Sequence, residues 1–295
     1  MVRIEYTAAE ADDGRPLRAV LRGSMGLSAS LVKTVKWQAD GILIDGVPAR
    51  LDAVVRRGQR VSVAASAGAA VRQSDCQAPP MPPVLYEDDC LLIVDKPAGM
   101  AVHPSAGHPA GTLADAAAAY LRQRGEADGT FCPVSRLDRH TSGVLCAAKN
   151  RFAAQRLSAQ LQSGEMRRVY RAVVCGSPPA DEGVVDAPIA QGQGVRREVS
   201  PSGRPAVTHW RVLRHGSTHT LLELWLETGR THQIRVHMAH LGCPVEGDFL
   251  YGTENPSRPG FALHAWSLTL RHPLTAEKVT ACAPMPAWFG ELLEK

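Results

Sequence analysis

Beyond residue 168 the chain is a succession of short apolar runs parted by turn residues: VYRAVVCG, AVTHWRVL, HTLLELWLET, SLTLRH and KVTACAP. Runs this short, often alternating and rich in Val, Leu, Thr and aromatic residues, fit half-buried strands. Upstream, VLYEDDCLLIVDKPAG has two apolar stretches around an acidic turn, the pattern of a hairpin that breaks at Lys96-Pro97. Two segments carry strong helix formers at helical spacing, TLADAAAAYLRQR and RFAAQRLSAQLQSG, and WFGELLE makes a final helix. An α+β fold follows: a large mixed, mostly antiparallel sheet with flanking helices.

The first 65 residues read differently. PLRAVLRGSM places Leu17, Val20 and Leu21 on one helical face, and SASLVKTVKWQ sets Leu31, Val32 and Val35 inward behind a Ser28 cap. ILIDGVPA carries a strong two-residue turn signal at Asp45-Gly46, and RVSVAA alternates like a further strand. Arg15, Arg18, Arg22, Lys33 and Lys36 fall in a stretch without a single acid, up to Ala39. A basic, acid-free helix pair suits contact with phosphates, although an ordinary solvated face has the same composition. Residues 66–83 are rich in Ala, Ser and Pro and read as a linker, which divides the 295-residue chain into 1–65, 66–83 and 84–295.

Composition narrows the setting. The opening residues lack the apolar run of a secretory signal, and no stretch has the length of a membrane span, so a soluble cytoplasmic protein is expected. Seven widely spaced cysteines without a C-x-x-C pair suggest neither a disulfide framework nor a zinc ribbon. A monomer without metal or organic cofactor is expected.

Four segments concentrate polar chemistry: DKPAGMAVHP, SRLDRHTSG, RRVYRAVVCG and TGRTHQIRVHMAHLGCPVEGDFLYG. In the second, Asp138 stands between Arg136 and Arg139, where nearby positive charge favours the carboxylate and suits it to act as nucleophile or base. A surface ion-pair cluster is the plain alternative for such a string in isolation. In the last, an extended QIRVH would put Gln233, Arg235 and His237 on one face and Ile234 and Val236 on the other.

Taken in order, these four segments resemble the RluA-type pseudouridine synthases, over residues 85 to 284. The resemblance implies that Asp138 is the catalytic nucleophile, that Arg235 is its partner, and that Tyr170 is the tyrosine of the Y-x-A motif, a third catalytic residue whose ring offers the detached uracil a flat face and whose hydroxyl offers a place for the carbon 5 proton. It further implies that Arg136 enters the RNA stack where that base has left. Arg139, Arg230, His232 and Gln233 are further candidate RNA contacts. The N-terminal segment resembles the small RNA-binding domain named after ribosomal protein S-four, which implies RNA contacts from Arg18, Arg22, Lys33 and Lys36. Ser135, His140 and Arg168 depart from the residues usual at their positions, which bears on substrate choice more than on chemistry. RNA is the implied partner, with large-subunit ribosomal RNA favoured and transfer RNA the alternative.

Two other chemistries are weaker readings. His232, His237 and His240 lie close in sequence and three histidines hold zinc in some hydrolases, yet no H-E-x-x-H pattern occurs. Cys146 beside His140 falls inside an apolar strand, a poor place for a nucleophile. A non-catalytic RNA-binding protein is the third, against which the joint presence of Asp138, Tyr170 and Arg235 argues.

Overall fold

A computed structural model describes residues 2–65, 78–105, 107–125, 130–258 and 260–294. Most of the expected linker lies outside the described residues.

The N-terminal part is built from β1 (Arg3–Thr7), α1 (Leu17–Arg22), α2 (Ala29–Val35), β2 (Ile42–Ile44), β3 (Val47–Pro48) and β4 (Arg60–Ala64). Its sheet has the order β1-β4-β2-β3. Ser28 caps α2 by accepting from Leu31 N, and Leu17, Val20, Leu21, Leu31, Val32 and Val35 bury one face of each helix on the sheet. The β2–β3 turn has Asp45 at φ 49° and Gly46 at φ 80°, the two left-handed positions that a two-residue hairpin requires.

The larger part continues with β5 (Val84–Glu87), β6 (Leu91–Lys96), α3 (Leu113–Gln123), β7 (Cys132–Pro133), β8 (Ser142–Ala148), α4 (Arg151–Ser163) and β9 (Arg167–Cys175). It then runs through β10 (Glu182–Asp186), β11 (Ile189–Gln191), β12 (Arg197–Val199), β13 (Val207–His215), β14 (His219–Leu226), α5 (Gln233–His240), β15 (Leu263–Arg271), β16 (Lys278–Cys282) and α6 (Trp288–Glu291). Ten strands form one sheet with the path β10-β13-β14-β9-β15-β8-β6-β5, β16 pairing with β15 and β7 with β8. Among the described residues every pairing in it is antiparallel except β15 with β8, where only His264–Ser142 and Ala265–Gly143 are in register. The α+β expectation holds.

Gly143 sits on that short parallel seam at φ 105°, and an added Cβ would lie 2.2 Å from the Ala265 carbonyl oxygen. Neither backbone has room to give. Gly143→Ala is therefore expected to lower stability by about 3 kcal/mol or more, read as a shifted midpoint in urea unfolding.

Helix α4 fastens the two parts together. Asn150 caps it by accepting from Ala153 N, and Gly164 ends it in the left-handed conformation. From its outer face, Gln155 donates to Gly26 O and accepts from Ser28 N, both at 2.8 Å. Phe152 from the same helix is buried in the core of the N-terminal part.

One expectation fails. QIRVH is not extended but opens α5, which runs from Gln233 to His240. Every residue from Gln233 to Met238 is buried, so this helix is enclosed and has no solvent face to create a helical polarity pattern. Its polar side chains are matched by individual partners instead, and their alternation with Ile234 and Val236 carries no conformational meaning.

Candidate active site

The loop ahead of β8 brings Asp138 to the rim of a cavity of about 540 Å³. Arg136, Tyr170, Arg230, His232 and Arg235 also line it, over an apolar floor that includes Leu161, Leu226 and Leu263. The size lies within the range that holds a small ligand. Asp138 comes from a loop, Tyr170 from β9 and Arg235 from α5, so the sheet and the buried helix together set their spacing.

Arg235 organises the site. Its Nη1 donates to Asp138 Oδ2 at 3.0 Å, while Nε and Nη2 form a fork on Asp248 at 2.7 and 2.8 Å. Asp248 is fully buried and its Oδ1 also accepts from Leu250 N and Tyr251 N. The guanidinium stands over the rings of Phe261 at 4.2 Å and Tyr251 at 5.1 Å, a further source of attraction for a cation. Burial works against its charge, but Asp248 and Asp138 outweigh burial and hold its pKa above the ordinary arginine value. A permanently charged, geometrically fixed cation therefore touches one oxygen of Asp138 and leaves the rest of that carboxylate facing the cavity.

The surrounding groups are tuned by burial. His232 immediately precedes α5 at φ 59°, its Nδ1 is 2.8 Å from the Tyr251 hydroxyl, and its Nε2 is 3.9 Å from Asp138 Oδ2. Burial lowers its pKa despite the pull of Asp138, which favours neutral imidazole. Tyr170 is buried and its pKa is raised, chiefly by burial, which keeps the phenol protonated.

Not every expected RNA contact has a free side chain. Gln233 lines the cavity but is 3% exposed, and its amide bonds Thr228, the Arg230 N–H, Val207 O and Thr208, which ties α5 to β13. Arg139 is absent from the cavity wall: Nε donates to Gly99 O at 2.9 Å and Nη1 meets His108 Nε2 at 2.8 Å, which ties two loops together. Arg136 is exposed at the rim, and Arg18, Arg22, Lys33 and Lys36 are exposed on the N-terminal helix pair or at its end. The three histidines do not converge: His237 is spent on Thr208 and Ala187 O, and His232 on Tyr251. Cys146 is buried in the strand core, with its thiol pushed up to about 12 by burial.

Two residues escape a reading of the sequence. Asp248 carries no assigned role in that reading, although its place in VEGDFLYG, thirteen residues after Arg235, is an available signal. Lys96 appears only as a strand breaker. Its side chain is fully buried and Nζ donates to the carbonyls of Pro97, Met100 and Arg139 at 2.9, 2.9 and 3.1 Å. The last is the residue after Asp138, so Lys96 joins the DKPAG loop to the loop that carries the acid. Burial pushes the ammonium down to about 7; three carbonyls, one for each proton, oppose that shift. Lys96→Met strands all three acceptors and is expected to cost on the order of 3 kcal/mol in chemical unfolding.

Comparison with known proteins gives the family. Residues 90–240 match the RNA pseudouridylate synthase family model. An uncharacterised RNA pseudouridine synthase of Bacillus subtilis is 38% identical over 301 residues, covering 100% of this chain and 98% of its own. The chain belongs to the RNA pseudouridylate synthase family. It is an isomerase that acts on RNA. A ribosomal large subunit pseudouridine synthase D from Xanthomonas campestris is 41% identical over 278 residues, covering 88% of this chain and 82% of its own. Among solved structures, human RNA pseudouridylate synthase domain containing 1 aligns at a TM-score of 0.57 with 28% identity, over 68% of this chain and 82% of its own. Among the described residues of this synthase no helix is long and apolar enough to cross a membrane.

Proposed function

We propose that this synthase converts uridines of structured large-subunit ribosomal RNA to pseudouridine, with Asp138 as nucleophile and neither metal nor organic cofactor taking part in the reaction. The observation that carries the reading is the shared cation: Arg235, anchored on buried Asp248, holds Asp138 by one oxygen at the edge of a nucleotide-sized cavity. The reaction breaks the bond from uracil N1 to the sugar, turns the base and joins carbon 5 to the same sugar carbon. The carbon 5 proton leaves and N1 is protonated, so no electrons or atoms are gained or lost. Asp138, paired with a permanent cation, supplies the pair of electrons that the detachment step needs.

A uridine within folded RNA reaches the cavity only after extrusion, at a cost of a few kcal/mol. Exposed Arg136 at the rim offsets that cost by stacking in the gap. Tyr170 gives the detached uracil a flat apolar surface. Because burial keeps its hydroxyl protonated, stacking and not proton removal is its main role. Tyr170→Phe is thus expected to keep activity within about tenfold of wild type, whereas Tyr170→Leu falls by more than the roughly 100-fold of a lost catalytic group, in single-turnover assays. Arg18, Arg22, Lys33 and Lys36 supply a second, phosphate-binding surface. The Xanthomonas relative, whose match extends over 88% of this chain, bears a name that supports ribosomal RNA over transfer RNA.

Pseudouridine mapping of total cellular RNA tests the reading, in cells with the gene, without it, and with Asp138→Asn restored. Sites in large-subunit RNA that vanish on deletion and return only with wild type support it. Sites confined to transfer RNA would replace the substrate, and no change at any uridine would sink both.

A further inference from the structure

The end of β9 and the start of β14 set Cys175 directly opposite His219 in the sheet register. Glu246 arrives beside them from the loop after α5, held by Glu246 N to Val173 O and Cys175 N to Pro244 O, both 2.9 Å. Three potential ligand atoms converge there. Cys175 Sγ lies 3.1 Å and His219 Nε2 3.2 Å from the same oxygen, Glu246 Oε2, and all three are within 4.8 Å of one another. A tetrahedral zinc ion with bonds of about 2.0 to 2.3 Å sets its ligand atoms roughly 3.3 to 3.6 Å apart, so the cluster needs shifts of no more than about 1 Å.

The outer contacts already aim these atoms inward. Thr218 bonds His219 Nδ1 at 2.8 Å, leaving Nε2 toward the centre, and Asn255 donates to Glu246 Oε1 at 2.9 Å, leaving Oε2. Such contacts orient ligands in metal sites. The His219 and Glu246 side chains are 17% and 13% exposed, so water reaches a fourth position. A second cluster, Asp88, Cys90 and His272, differs: its carboxylate is taken up by the Cys90 and Leu91 N–H groups and the Tyr86 hydroxyl.

We propose that Cys175, His219 and Glu246 form a site for zinc or a zinc-like divalent transition-metal ion, completed by water. Thiolate and imidazole select such ions over magnesium and calcium, and the thiol proton passes to solvent on binding. None of the three lines the cavity that holds Asp138. The ion has a structural task, pinning the β9–β14 edge to the segment that carries Asp248 two residues further on.

Cobalt(II) titration of metal-stripped, full-length protein provides the test. One equivalent is expected to bind with a thiolate-to-cobalt charge-transfer band, to be displaced by one equivalent of zinc, and to show no such band in Cys175→Ser. His219→Gln is expected to weaken binding by about tenfold or more. No band in wild type, or an equal band in Cys175→Ser, would overturn the site. If Cys175→Ser does not fold, His219→Gln decides: weakened binding supports the site and unchanged affinity refutes it.

Discussion

Asp138→Asn is expected to abolish uridine isomerisation, by about 10⁴-fold or more, while fold and RNA affinity stay close to wild type. The asparagine keeps the size of the side chain and an oxygen that accepts from Arg235 Nη1, but loses the electron pair and charge of the nucleophile. Stability changes little because the Asp138 side chain is 26% exposed and, although that of Arg235 is only 3% exposed, the guanidinium keeps an acceptor in the asparagine oxygen. Arg235 also retains both bonds to Asp248. Single-turnover assays on in vitro transcribed RNA, with filter binding alongside, separate the two effects. Residual activity within tenfold of wild type would remove Asp138 from the nucleophile's role.

Asp248→Ala is expected to act on stability and activity together. Asp248 is fully buried and accepts four hydrogen bonds, two from Arg235 and two from backbone N–H groups. Its removal leaves a buried guanidinium with one partner, a change that typically costs about 3 to 5 kcal/mol. Arg235 then turns its unsatisfied N–H groups toward Asp138, which withdraws the carboxylate from the cavity and lowers turnover by about 100-fold. Asp248→Asn keeps one acceptor for the backbone N–H groups and should recover part of the stability but little of the turnover. Urea unfolding and single-turnover rates of the two variants check this. Wild-type stability in Asp248→Ala would show that Arg235 has another anchor.

The strands are legible in the sequence because most lie in an antiparallel sheet where more and less buried positions alternate, as from Val207 to Trp210 in β13 and from Leu222 to Trp225 in β14. Helix α4 is legible because it keeps an exposed side, and α3 because its run of strong helix formers follows a capping residue, Thr112. Helix α5 is not, since full enclosure removes the polarity pattern on which such readings depend. The same limit hides the individual tasks of buried polar groups. Gln233 looks from sequence like an RNA contact and is consumed by four protein partners, whereas Asp248 signals itself only by its place thirteen residues after Arg235 and not by the charge it balances. Arg139 follows Asp138 directly in the chain yet turns to Gly99 and His108, because adjacency to an acid does not fix which way a side chain points. Asp138, Tyr170 and Arg235 stand out because their motifs are long enough to be specific, and they do meet at one cavity.

The clasp at Gln155 bears on how an RNA is chosen. Its amide takes the place of a peptide unit for Gly26 and Ser28, so the N-terminal helix pair is carried by α4. Under the proposed function the two RNA-facing surfaces then work as the jaws of a caliper, at a separation set by the clasp. An RNA fits when a phosphate-rich surface and an extrudable uridine lie at that separation, so gauge is added to sequence as a criterion of selection. Opening the clasp would leave that separation unset, and uridines at other separations would come within reach.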